Sequence, residues 1–306
     1  MKKILVPTDF SVPAENAANY AIAIAKTLDA RVTLVNAFTY PVPVAESGLW
    51  PVIDNEDIKT NLSGELDAVV KRLLDESCPD GATSPCPVVD YRCAEGPVLS
   101  VINRISDEMD VDLLVMGLSG AGGLVNFILG SNAMGITDRG DRPTLLVPYG
   151  AGFHGIKKIV FAGALSPLDI KPLEYICRLA SWFKAEVNVL HVIDMRDDLN
   201  TGIQSIGEDF VDQIRILTGY NKLRYEPVWN KNVDQGLEWI AEQPDIDMVA
   251  MRHQKHHLLD KLFAGSRTKR FAGYTTIPLL VFPPKYIEKA NIHKNTNTME
   301  SKSNEN

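Results

Sequence analysis

The sequence predicts an α/β protein made of two tandem domains, each a doubly wound, parallel, five-stranded sheet. Three observations predict this. A length of 306 residues fits two domains, at roughly 100–200 residues each. Short runs rich in Val, Leu and Ile alternate with segments of helical period. Most tellingly, the chain repeats itself. Lys2-Lys3-Ile4-Leu5-Val6 returns as Lys157-Lys158-Ile159-Val160-Phe161, an offset of 155. Leu129-Gly130-Ser131 returns as Ala264-Gly265-Ser266, and Pro143-Thr144-Leu145-Leu146-Val147 as Pro278-Leu279-Leu280-Val281-Phe282, both at an offset of 135. The second copy is therefore 20 residues shorter between these landmarks. The stretches Tyr40–Pro51 and Cys78–Pro87 are where the first copy carries its extra length.

Each copy reads as strands alternating with helices. In the first, the strand segments are Lys3–Thr8, Val32–Phe38, Val88–Arg92, Asp112–Met116 and Thr144–Val147, short and rich in Val, Leu and Ile as strands buried on both faces should be. Ala14, Ala17, Ala18, Ala21, Ala25 and Leu28 mark one face of the first helix, with small residues that allow close packing on a sheet. In the second copy, Ser166-Pro167-Leu168-Asp169 is a helix start, with a serine cap, proline at the first position and an acid three residues on. Alternation of this kind implies parallel strands joined by right-handed crossovers. The expected boundaries are a first domain over residues 1–150, a short link at Tyr149–Gly155, and a second domain over 155–285. Residues 286–306 are polar and aperiodic and read as a disordered tail.

Composition excludes several classes of function. A net charge of −8 argues against a nucleic-acid binder that works by neutralising phosphates. No stretch approaches the ~18–20 apolar residues needed to span a bilayer. The start MKKILVPTDF begins like a signal peptide, but Pro7, Thr8 and Asp9 end its apolar run. The expected setting is cytoplasmic. There Cys78, Cys86, Cys93 and Cys177, which form no C-x-x-C pair, read as unpaired thiols in or beside a core, with a disulfide or redox role for the three that fall close together in the first half as the alternative.

Ligands of open parallel sheets bind at the carboxyl ends of strands, near the switch in strand order. Two segments lie there. Pro7-Thr8-Asp9-Phe10-Ser11 leaves strand one, and Met116-Gly117-Leu118-Ser119-Gly120-Ala121-Gly122-Gly123 leaves strand four and leads to Gly130-Ser131-Asn132 at a helix start. Glycines let backbone N–H groups approach an anion with no Cβ in the way. A helix N-terminus adds unpaired N–H groups and a partial positive charge. The spacing fits neither G-x-x-x-x-G-K-S/T nor G-x-G-x-x-G, because Gly123 and Val125 stand where those motifs need Lys and Gly. Gly117-Leu118-Ser119-Gly120-Ala121 is superficially a nucleophile elbow, but no acid and histidine can be placed for it, and glycines continue where a helix should begin.

The pattern that does stand, G-x-x-G-x9-G-S-N after strand four with PTDFS after strand one, resembles the ATP-binding branch of the universal stress protein family. Gly117, Gly120, Gly130 and Ser131 match that motif at every specified position, and the repeated domain extends the resemblance over nearly the whole chain. The resemblance implies a tandem universal stress protein with an adenine nucleotide alpha hydrolase-like, Rossmann-like fold. It implies Asp9, after Thr8, beside the adenosine moiety and the strand-two end near Ala37 lining the adenine pocket. Gly117, Gly120, Gly130, Ser131 and Asn132 would hold ribose and phosphates, and Mg²⁺ would accompany ATP. The family brings no agreed catalytic residues, so binding in a stress-response or regulatory role is expected. A nucleotide-free interaction scaffold and a slow ATPase or phosphotransferase are the alternatives. The family commonly pairs domains through the fifth strand, so Thr144–Val147 and Pro278–Phe282 would pair as an intramolecular pseudo-dimer, an arrangement compatible with further homodimerisation.

The second copy has lost the motif. Alignment on Gly265-Ser266 puts Arg252 in place of Gly117 and Lys255 in place of Gly120, while Ala164 replaces Asp9. Met251-Arg252-His253-Gln254-Lys255-His256-His257 reads as a solvated basic loop, with a weaker alternative that Arg252, Lys255 and His257 bind an anion through side chains. Its positive surroundings oppose a metal site at the histidines. One nucleotide per chain is the expectation.

Overall fold

Strands form where the Val-, Leu- and Ile-rich runs lie, and the order in which they pair sets the position of the site. The computed structural model describes residues 2–40, 55–78, 85–121, 126–128, 131–194, 202–230, 243, 245–253 and 277–289. Packing divides the chain into two units, Met1–Gly117 and Leu118–Asn306. The first unit carries β1 (Lys3–Pro7), α1 (Val12–Leu28), β2 (Arg31–Phe38), α2 (Asn55–Ser77), β3 (Val89–Glu95), α3 (Val98–Met109) and the start of β4 (Leu113–Ala121). Its strands are ordered β3-β2-β1-β4, and each neighbouring pair is parallel. The chain moves one way from β1 through β2 to β3 and returns to the other side for β4. That reversal is the switch point, between the carboxyl ends of β1 and β4.

The second unit holds β5 (Asn126–Ile128), α4 (Ser131–Arg139), β6 (Thr144–Pro148), β7 (Lys158–Ala162), one 3-10 turn (Pro167–Asp169), α5 (Ile170–Phe183), β8 (Glu186–Asp194), α6 (Ile203–Thr218), β9 (Leu223–Asn230), β10 (Met248–Arg252) and β11 (Leu279–Phe282). The order is β6-β11-β10-β7-β8-β9. All pairs in it are parallel except β6 with β11, which run antiparallel with Leu279 opposite Leu146 and Leu280 opposite Leu145. The last strands of the two repeats therefore pair as expected. The division by packing falls inside β4, well before the repeat boundary, because β6 of the first repeat pairs with β11. Pro227 stands within β9, an edge strand, where a missing N–H costs least.

The repeat is visible in hydrogen bonds as well as letters. Asp112 Oδ2 accepts from the N–H groups of Lys2 and Lys3 at 2.7 and 3.2 Å, and Asp247 Oδ2 accepts from those of Lys157 and Lys158 at 2.6 and 2.9 Å. Asp29 and Lys184, at the offset of 155, close α1 and α5 in the left-handed conformation (φ 50° and 56°). The alanine face of α1 is buried as its period requires.

Three features differ from the sequence expectation. β4 runs on to Ala121, where a loop was expected, and pairs antiparallel with β5, Gly120 opposite Phe127. Glycine enters extended backbone as readily as a turn, so glycines at a strand end do not stop it. Residues 284–289 are helical, past the expected end of the second domain, and Lys289 forms an ion pair with Asp141; residues 290–306 lie outside the described residues. Cys78 and Cys86 form a disulfide, which corrects the reading of four unpaired thiols. The end of α2 and the approach to β3 bring their Cα atoms to 6.0 Å, within bonding range. Cys93 and Cys177 are free thiols, and burial pushes the Cys177 thiol up to about 11.

Two helical glycines give opposite expectations. A Cβ on Gly207 of α6 would run into the buried Tyr225 ring, whereas one on Gly64 of α2 would meet open space. Gly207→Ala should lower stability by about 1–3 kcal/mol through overpacking, and Gly64→Ala should raise it by up to about 1 kcal/mol through helix propensity. Urea unfolding of both variants checks the pair.

Candidate functional site

The polypeptide leaves β1 through a hydrogen-bonded turn. Thr8 donates its N–H to Val35 O at 2.8 Å, and Thr8 Oγ1 accepts from Phe10 N at 3.1 Å. Asp9 is exposed, and its Oδ1 accepts from Ser11 N at 3.1 Å. Phe10 between them is left-handed, φ 64°, a conformation that bulky residues rarely adopt. Ser11 then caps α1, its Oγ accepting from Ala14 N at 3.4 Å, with Pro13 in the first turn. Leu165, the offset-155 partner of Phe10, is left-handed too (φ 55°), so both repeats keep this turn.

Sequence reasoning missed the residue beneath it. Asn36, on β2 beside half-buried Ala37, is only 7% exposed and donates from Nδ2 to Thr8 O at 2.9 Å. In the second repeat, His191 Nδ1 lies 3.0 Å from Gly163 O, the matching contact at the matching offset. The available signal was a polar residue near the carboxyl end of the second strand in both copies, Asn36 and His191 at the offset of 155.

Thr8, Asp9, Ala37 and Gly117 thus belong to the carboxyl ends of β1, β2 and β4 in the first unit. Gly117 has a role beyond the expected approach of backbone to phosphate. A Cβ at this position would collide with the Pro13 carbonyl and stand 2.9 Å from Ala14 N. It is glycine because α1 begins directly against β4, and its φ is not left-handed. Gly120 lies in the continuation of β4, and Ser131 and Asn132 are exposed in the first turn of α4. Gly130 lies outside the described residues.

In the second repeat, two substitutions at this crossing match each other. Gly117 corresponds to Arg252 and Ala14 to Asp169. Arg252 Nε lies 2.5 Å from Asp169 Oδ1, with the two side chains 12% and 1% exposed. Asp169 Oδ2 accepts from Ala164 N at 3.0 Å, Ser166 N at 2.9 Å and Ser166 Oγ at 3.2 Å. A buried carboxylate is tolerable only when paired and hydrogen-bonded in this way. His253 next to it places Nε2 2.7 Å from Asp138 Oδ1 of α4. The expected solvated basic loop is thus corrected for its first residues: Arg252 and His253 are largely buried, and carboxylates distant in sequence hold both. Lys255, His256 and His257 lie outside the described residues. Among the described residues no cluster of three or more His, Cys, Asp or Glu could hold a metal ion, and no helix is long and apolar enough to cross a membrane.

Two repeats of a mostly parallel sheet, with a tight turn and a serine-capped helix at the end of the first strand, define a tandem protein of the Rossmann-like, adenine nucleotide alpha hydrolase fold. The model of the universal stress protein family matches this chain twice, over residues 1–148 and 155–283. The chain belongs to that family. It is 30% identical over 148 residues to the universal stress protein MJ0531 of Methanocaldococcus jannaschii, covering 48% of this chain and 81% of that one. A crystal structure of a universal stress protein from Archaeoglobus fulgidus DSM 4304 shares the fold with a TM-score of 0.66 at 14% identity, over 92% of this chain and 98% of that one. The protein PA1789 from Pseudomonas aeruginosa PAO1, described as functionally unknown, does so with 0.56 at 15% identity, over 94% of each chain.

The matched exchange at the crossing is testable by a mutant cycle. Arg252→Ala leaves Asp169 buried without its guanidinium and should cost about 3–5 kcal/mol. The pair Arg252→Gly with Asp169→Ala, which installs the first repeat's residues, should cost clearly less than the sum of the single changes. Denaturant unfolding that finds the single costs additive would show the two residues to be uncoupled.

Proposed function

We propose that the first repeat binds an adenine nucleotide, ATP with Mg²⁺, and that the protein acts as a stress-response regulator by binding rather than turnover. The observation that carries this reading is the contrast between repeats. Both keep the turn after their first strand, but the first leaves Asp9 exposed at the switch point with bare backbone at Gly117. The second fills the equivalent place with a guanidinium and a carboxylate of its own. Residues of the first repeat fit a nucleotide: Thr8, Asp9 and Ala37 at strand ends would face the nucleoside. Gly117, Gly120, Gly130, Ser131 and Asn132 enter through the motif spacing, with donors at a helix start suited to phosphates. The ion would be carried largely by the triphosphate, since no cluster of protein ligands for it stands among the described residues.

Calorimetry should find one ATP per chain, with Asp9→Ala weakening it about tenfold or more. Binding of two equivalents would contradict the assignment of the second repeat. A wild type whose melting temperature is unmoved by millimolar ATP and Mg²⁺ would overturn the nucleotide reading, and sustained phosphate release from ATP would overturn the choice of binding over turnover.

A further inference from the structure

The basic segment after β10 has a use that nucleotide binding by the first repeat leaves unexplained. His253 lies in the second repeat, yet its ring reaches Asp138 in the helix of the first repeat that opens with Ser131 and Asn132. The backbone from which the ring projects is fixed on two sides. Arg252 is pinned to buried Asp169, and the N–H of His253 donates to the carbonyl of fully buried Phe282 at 2.9 Å. The imidazole is 12% exposed, and its Nδ1 is buried with no hydrogen-bond partner among the described residues, so Nε2 toward Asp138 is its one polar tie there. Asp138 is the second-last residue of the nine-residue α4. A helix that short, about 13 Å long, moves as a rigid piece, and a hold on its last turn sets where its first turn stands.

We propose that His253 is a positioning residue for the phosphate-binding helix: it holds α4 through Asp138, so that the second repeat braces the site it no longer possesses. The proposal rests on the nucleotide reading of the first repeat. Apolar packing of Ala133 and Ile136 keeps α4 on the protein, and the tie to His253 sets how its N-terminus is presented.

The test compares full-length wild type with His253→Ala and with Asp138→Ala, each of which removes one partner of the Nε2–Oδ1 contact. ATP with Mg²⁺ and adenosine are each titrated by calorimetry. The expected result is a loss of ATP affinity of about three- to tenfold in both variants, with adenosine affinity changed by less than about twofold because the helix start acts chiefly on the phosphates. The double variant should be no worse than the weaker single one, since both remove one interaction. Hydrogen exchange supplies a ligand-free readout: amides of α4 should exchange faster in both variants while those of β7 and β8 do not change. Unchanged ATP affinity in variants of a wild type that binds, or equal losses for ATP and adenosine, overturns the positioning role alone. Unchanged exchange in α4 overturns the brace itself. A wild type that binds no ATP overturns the nucleotide reading and this role with it.

Discussion

Much in this protein depends on how closely the first helix of a repeat begins against the end of the fourth strand. At that crossing the first repeat has Gly117 against the Pro13 carbonyl, with no room for even a methyl group. The consequence is bare backbone at the switch point, beside the turn on which Asp9 is exposed. The second repeat solves the same crossing with a long side chain. A guanidinium introduced there is buried, and a buried charge must be neutralised and hydrogen-bonded. Asp169 meets both needs, accepting from two backbone N–H groups, a hydroxyl and Arg252.

The carboxylate has in effect moved across the turn. In the first repeat it precedes the left-handed residue, as Asp9, and satisfies Ser11 N from an exposed position. In the second it follows, as Asp169, and satisfies Ser166 N from a buried one. The N–H at the head of the helix requires an acceptor in both cases, so the backbone of the turn is kept while the acid changes place. Framework contacts away from the crossing, such as Asp112 and Asp247 on paired lysine amides, repeat without change.

Exposed sheet edges invite pairing with other chains, and tandem duplication offers an internal answer. β6 and β11 give each other a partner within one chain, through residues that are buried along both strands. The unit defined by packing therefore gathers the last strand of the first repeat with the second. The Cys78–Cys86 disulfide joins the end of α2 to the approach to β3, in one of the two stretches in which the first copy is longer than the second.

The sequence by itself determined the family, the two repeats, the strand positions, the capped helix start at Ser166 and the asymmetry between copies. These rest on local patterns: apolar runs, period, motif spacing and turn residues, all of which are written along the chain. Only the tertiary structure decided that Gly117 is demanded by the helix crossing, that Asn36 supports the turn from beneath, and that Arg252 and His253 are engaged. Their partners stand 83 and 115 residues away. A charge run looks solvated until folding brings carboxylates to it from other elements, and no spacing rule carries that information.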